Sequence, residues 1–264
     1  MTSSASVYGG EPGVPVTRIP VPPHPADRVT RWFPEITPLR GGAAVFAVGF
    51  VAVTLALNTV ATTSDGAAAQ LLALVLLGIS TFGMVAAAWF GSWRWGTGDL
   101  RRDIGLRGRW LDLGIGFVGS IGLTVLLAVI SLLMTFAGAP KGTNLSEAER
   151  AGRNPMFFAV LFVLAGVVAP VTEEMLFRGV MLRGLHARLP LWVATLVQAA
   201  VFGLAHFTPS QGWGNLTLVV ALGSLGFVLG ALANATGRLA PGMVAHSLFN
   251  CIQLSLLWVS LGRI

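Results

Sequence analysis

Seven long apolar runs follow one another along this chain, at about Gly42–Ala61, Ala67–Phe90, Leu111–Ala137, Phe157 onward, Leu191–Phe207, Leu216–Ala235 and Leu239–Leu261. Each approaches the ~20 residues that a helix needs to cross the hydrocarbon core of a bilayer. The pattern predicts an all-α fold, a polytopic transmembrane bundle of about seven to eight helices within residues 41–264. Composition agrees: 54% hydrophobic against 11% charged residues, with a mean hydropathy of +0.76, is the profile of a membrane protein rather than of a soluble domain with one core. No internal repeat is visible, which argues against a transporter that is built from duplicated halves and uses buried polar residues as a relay. Gly226 and Gly230, spaced G-x-x-x-G, predict close helix packing rather than ligand binding.

Residues 1–40 are a different material. Pro12, Pro15, Pro20, Pro22, Pro23, Pro25, Pro34 and Pro38 stand among Ser, Thr and Arg with no long apolar run, a composition that cannot build a core and predicts a disordered tail. No apolar stretch near the start reads as a cleaved signal peptide, so the first membrane segment is expected to direct insertion. The net charge of +6 does not point to nucleic acid, because the basic residues flank apolar runs, where topology accounts for them. With the N-terminus in the cytoplasm, Lys141, Arg150, Arg153 and Arg263 fall outside and the other 13 of the 17 basic residues fall inside, so the bias predicts a cytoplasmic N-terminus. The functional cavity is expected to open on that same side. Trp93, Trp95 and Trp110 bracket the arginine-rich loop as interface anchors around an amphipathic segment on the inner leaflet. The use of Arg over Lys, 16 to one, points to a GC-rich genome and a bacterial plasma membrane. Cys251, the single cysteine, is expected to be a packed thiol.

Within the fourth run, Pro170–Arg178 reads P-V-T-E-E-M-L-F-R and sets two carboxylates and a guanidinium inside an apolar helix. Ionisable residues at membrane depth mark function. Glu174 and Arg178 are four apart and share a face, predicting a buried ion pair, whereas Glu173 is turned by roughly 100° and is left for chemistry. Leu189 and Pro190 mark a break. Glu173 and Leu189 are sixteen positions apart, as are Pro190 and His206, so an antiparallel hairpin brings Glu173 and His206 to one level. That level is ~24 Å from the turn, with Arg183, His186 and Arg188 expected to project into headgroups and cytosol. Phe202 and His206 share a face, as do His246 and Asn250 in the last run.

A carboxylate and an imidazole can bind and deprotonate a water, while a second imidazole and an amide N–H can stabilise the oxyanion of a tetrahedral intermediate. That combination is suited to amide hydrolysis. No G-x-S-x-G or H-E-x-x-H occurs, although Glu173, His206 and His246 could serve as three ligands of a catalytic zinc. The amide of Asn250 beside His246 suits an oxyanion site better than a metal site, so no obligatory cofactor is expected, with zinc as the alternative. A non-catalytic immunity or membrane-scaffold protein would keep the same residues without turnover.

E-E-M-L-F-R at Glu173–Arg178, F-G-L-A-H at Phe202–His206 and H-S-L-F-N at His246–Asn250 together resemble, in order and spacing, the three motifs of the CPBP family, the CAAX protease and bacteriocin-processing or Abi proteins. The resemblance covers roughly residues 155–262, which it marks as the catalytic core, and implies an intramembrane endopeptidase acting on a membrane-associated or lipidated peptide or protein. It implies that Glu173 activates water with His206, that Glu174, Arg178 and Phe202 support the site, and that His246 and Asn250 form the oxyanion site. The family includes type II CAAX prenyl endopeptidases.

Overall fold

The computed structural model describes residues 38–62, 67–145, 148–149 and 152–262. Eight helices are present among them: α1 Gly42–Thr62, α2 Ala67–Trp95, α3 Leu100–Asp103, α4 Trp110–Phe136, α5 Pro155–His186, α6 Leu191–Leu204, α7 Gly214–Thr236 and α8 Ala240–Ser260. The described residues contain no strand. All seven apolar runs are helices. Four of these, α4, α5, α7 and α8, are long and apolar enough to cross a membrane, while the apolar stretch Gly42–Leu57 of α1 and the whole of α6 are shorter. At 14 residues α6 is only ~21 Å long, so the fifth run does not span by itself.

Local chemistry sets the helix ends. Asn154 accepts from the N–H of Phe157 and Pro155 follows at the first position of α5, the placement in which proline's missing N–H costs nothing. Leu189 and Pro190 do separate α5 from α6. Gly237, at φ 65°, ends α7 in the left-handed conformation. Outward faces carry large apolar side chains, among them Phe117, Val125 and Leu133 of α4, which would be a liability in water and suit a lipid surround. The chain is an integral membrane protein.

Backbone hydrogen bonds gather the connections at two ends. Leu39 N–H donates to Arg183 C=O, Arg40 to Trp95 and Leu239 to Gly105, which collects residues 38–41, 96–109, 187–190 and 237–239 at an arginine-rich end. At the opposite end Thr217 Oγ1 donates to Pro140 C=O and Thr143 N–H to Gln211 Oε1, joining the α4–α5 connection to the start of α7. The tail expected over 1–40 lies outside the described residues up to position 37. Its last residues depart from the expectation, since Leu39 is buried in the core.

The segment expected to lie on a leaflet is instead a tight loop holding the four-residue α3. Asp103 is buried there and accepts from Ser92 Oγ, Thr97 N–H and Oγ1, and Gly98 N–H. Burial alone would raise its carboxyl, but these donors outweigh burial and hold it below the usual carboxylate value. Nearby, Asp112 binds the Arg238 guanidinium through both oxygens and raises it above its ordinary range. This clamp ties the start of α4 to the α7–α8 turn. Trp93 and Trp110 are exposed, whereas Trp95 packs against Phe46 and Phe90.

The densest core lies on the arginine-rich side of the membrane helices. Leu176, Phe177, Val180, Met181, Leu225, Leu229 and Leu239 are fully or almost fully buried there. Gly226 approaches Ala199 and Phe202, and Gly230 approaches Thr195 and Gln198, so the G-x-x-x-G pair lets α7 lie against α6 as expected.

Candidate active site

Two local irregularities in α5 prepare the site. Leu164–Val168 and Met175–Met181 are wound as π-helix, flanking Glu173 and Glu174 on either side, a disturbance that recurs at functional sites. The first has a cause in the sequence. Pro170 has no N–H to give back along the helix, and Ala169 N–H goes to Leu164 C=O, so neither is available to the carbonyl of Ala165. Asn250 Nδ2 on α8 donates to that carbonyl at 2.7 Å. One hydrogen of the amide is thus committed to α5, leaving the second for another acceptor.

The paired glutamates differ in their surroundings. Glu174 Oε1 meets Arg178 Nη1 at 2.8 Å with both side chains 0% exposed. Arg178 also donates through Nη2 to Gly226 C=O at 3.0 Å and stacks over Phe202 with 4.5 Å from Cζ to the ring centre. Gln198 Nε2 shares the same carbonyl. Glu174 Oε2 faces Gly242, where a Cβ would lie 2.7 Å from the oxygen. Glu173 keeps 16% side-chain exposure and lines a cavity.

His246 stands between the two carboxylates, its Nδ1 3.5 Å from Glu174 Oε1 and its Nε2 3.8 Å from Glu173 Oε2. His206 is fixed differently. At the C-terminus of α6 the carbonyl of Phe202 lacks its usual partner, because the N–H of His206 turns to Gly203 C=O; the ring Nδ1 of His206 fills the place at 2.8 Å. Because a carbonyl only accepts, Nδ1 carries a hydrogen, and in the neutral imidazole Nε2 is the acceptor. Phe202 is the common wall, its ring 4.8 Å from His206 and 6.0 Å from His246 between centres.

Glu173, Phe202, His206, His246 and Asn250 all line one cavity of about 550 Å³. The residue count from the α5–α6 break expects Glu173 and His206 at one level, and both line this cavity. Arg183 Nη2 donates to Gly237 C=O, so α5 and the turn that leads into α8 are tied together at the arginine-rich end, behind Glu173 and His246. Among the described residues no ion-pair contact joins His206 to Glu173, and the imidazole beside Glu173 is that of His246. Among the described residues, too, no three His, Cys, Asp or Glu side chains converge as metal ligands do. Glu173, His206 and His246 line the same cavity.

Two expectations are corrected. Arg183 does not project into headgroups: it is buried, held by Gly237 and with its own carbonyl bonded to Leu39. Nor does the cavity open beside the N-terminal entry. Its lining runs from Glu173 back through Ala169, Ala165 and Leu161 to Phe157 and on to the connection at 142–148, the end remote from the arginine-rich loops. Toward the arginine-rich end the floor is closed by Glu174, Arg178 and the apolar core. Sequence reasoning missed Gly242 and Ala165. The signals were Pro170, five residues after Ala165, and the Pro241–Gly242 pair that opens α8.

Comparison with known proteins gives one match. Residues 155–252 fit the family described as type II CAAX prenyl endopeptidase Rce1-like, and this span contains all three motifs and every side chain of the site named above. No curated protein and no solved structure matches the chain.

Proposed function

We propose, for a chain whose residues 155–252 match the Rce1-like type II CAAX prenyl endopeptidase family, that it is an intramembrane peptidase in which Glu173 activates a water. The observation that carries the reading is the division between neighbours: Glu173 reaches the cavity, and Glu174 is sealed against Arg178. In the proposed reaction the Glu173 carboxylate takes a proton from a water that His206 Nε2 helps to orient, and the water oxygen adds to the scissile carbonyl carbon. Charge gathers on the former carbonyl oxygen, where His246 and the free N–H of Asn250 are placed to stabilise it. Glu173 then returns the proton to the leaving amine as the C–N bond breaks.

The substrate in this reading is a membrane-associated or lipidated peptide or protein. No metal is required, and the scattered placement of Glu173, His206 and His246 supports this. The arginine bias supports a cytoplasmic N-terminus, and the choice of Arg over Lys a bacterial plasma membrane. Purified protein is expected to cleave membrane peptides in a chelator that leaves it folded, and to contain substoichiometric zinc. Stoichiometric zinc, with activity lost on chelation and regained on adding it back, would sink the metal-free mechanism. Comparing membrane peptides in cells with the intact protein and with Glu173→Gln tests the activity itself: peptides that accumulate only with Glu173→Gln are the expected substrates.

A further inference from the structure

The direction of the cavity and the direction of the charge bias together disagree with a cytoplasmic catalytic mouth. The arginine-rich end holds Arg40, Arg94, Arg101, Arg102, Arg107, Arg109, Arg188 and Arg238. Arg178 and Arg183 are buried and contribute nothing to the loop charge. At the opposite end the described basic residues are Lys141 and Arg153. Such an asymmetry in short loops retains the arginine-rich end in the cytoplasm. The cavity runs to the other end. Its α4 wall begins at Thr124, half-way along that helix from the arginine-rich loops, and its α5 wall runs from Phe157 to Glu173. Behind Glu173 the α5 side of the floor is filled, since every residue from Glu174 to Gly184 is buried.

We infer that the site is served from the non-cytoplasmic face, and that its substrates are segments of exported or membrane-anchored peptides exposed at the outer leaflet. The 16-residue stretch of α5 wall between Phe157 and Glu173 corresponds to ~24 Å. A chain entering along it in extended form needs ~7 residues to reach Glu173. Much of that path is apolar, past Leu127, Leu161, Leu218 and Leu254, so the entering segment is apolar too. The inference rests on the hydrolytic reading for what enters and on the proposed orientation for which face is outside.

Single cysteines introduced into the full chain carrying Cys251→Ala test it with a membrane-impermeant maleimide. Asn144→Cys reports the mouth, Gln253→Cys the cavity wall and Arg107→Cys the arginine-rich loop; Asn144 and Arg107 are exposed loop positions that tolerate the change. Asn144→Cys and Gln253→Cys are expected to label in intact cells, and Arg107→Cys only in inverted vesicles. Labelling of Arg107→Cys in intact cells, with Asn144→Cys protected, overturns the inference through its orientation. Protection of both Asn144→Cys and Arg107→Cys in intact cells overturns it through the mouth alone. Adding Glu173→Gln to each variant separates the chemistry: turnover is lost while the labelling pattern stays, and turnover that survives Glu173→Gln counts against the hydrolytic reading whatever the labelling.

Discussion

The two halves of α5 are one continuous helix in opposite surroundings. From Pro155 to Glu173 many of its side chains face outward, as Met156, Val160, Val163 and Val167 do, or line the cavity, with Phe158, Gly166, Pro170 and Thr172 buried among them. From Glu174 to Gly184 every residue is buried. The boundary falls between two identical side chains. Because consecutive residues are turned by ~100°, one carboxylate reaches water while the next is enclosed with a guanidinium. Residue type therefore does not assign a role here; the packing behind each carboxylate does. A helix that is half scaffold and half wall can hold an ionisable group at membrane depth, with the enclosed half fixing its position.

The largest structural effect is expected from breaking the enclosed half. Glu174→Gln leaves Arg178 charged and buried with a weaker partner, and removal of one member of a buried pair costs about 3–5 kcal/mol. Thermal unfolding in detergent should show a clear fall in Tm, with activity falling alongside. Replacing both members, as Glu174→Gln with Arg178→Met, should recover much of the Tm because no buried charge remains. An unchanged Tm in Glu174→Gln would mean that this half is not held by the pair.

A smaller effect is expected at the contact between the halves. In Gly242→Ala the new methyl would lie 2.7 Å from Glu174 Oε2, and the carboxylate or α8 must shift. Overpacking of this kind costs about 1–3 kcal/mol. Since the displaced group also touches His246, turnover should fall more than Tm does. Equal Tm and equal turnover would show that α8 yields freely there.

The smallest effect concerns the arginine-rich end, which the enclosed half adjoins. The folded-state pKa of Asp103 lies below its ordinary value of 3.8. Its contribution to stability is thus present above the unfolded value and is lost as pH falls through the lower folded one. Tm followed from about pH 5 to about pH 2 should drop more steeply for the natural chain than for Asp103→Asn. Parallel curves would assign the loss to other carboxylates.

Much of this was legible in the sequence. Apolar runs located seven of the helices, and for four of them the run has the length that a bilayer demands. The i,i+4 spacing of Glu174 and Arg178 foretold their pair, and the hairpin counted from Leu189 and Pro190 is in keeping with Glu173 and His206 lining one cavity. What was not legible depends on contacts between distant segments. Arg183 reads as a headgroup residue by its charge, yet the turn at Gly237 and the backbone of Leu39 enclose it. The free carbonyl of Ala165 follows from Pro170, but that Asn250 answers it depends on the register of α8 against α5. The direction of the cavity was missed for the same reason. Run lengths say where helices begin and end, and not which end of the bundle is filled.

The most direct test of the account is turnover and Tm measured together on purified Glu173→Gln. The amide is close in shape to the carboxylate but cannot take a proton from water, and loss of a general base lowers rates by about 10²–10⁴-fold. The account predicts a fall of that size with Tm unchanged, because Glu173 borders a cavity and not the enclosed core. Full turnover in Glu173→Gln, together with clean loss of turnover at unchanged Tm in Glu174→Gln, would contradict it and transfer the base to the buried residue.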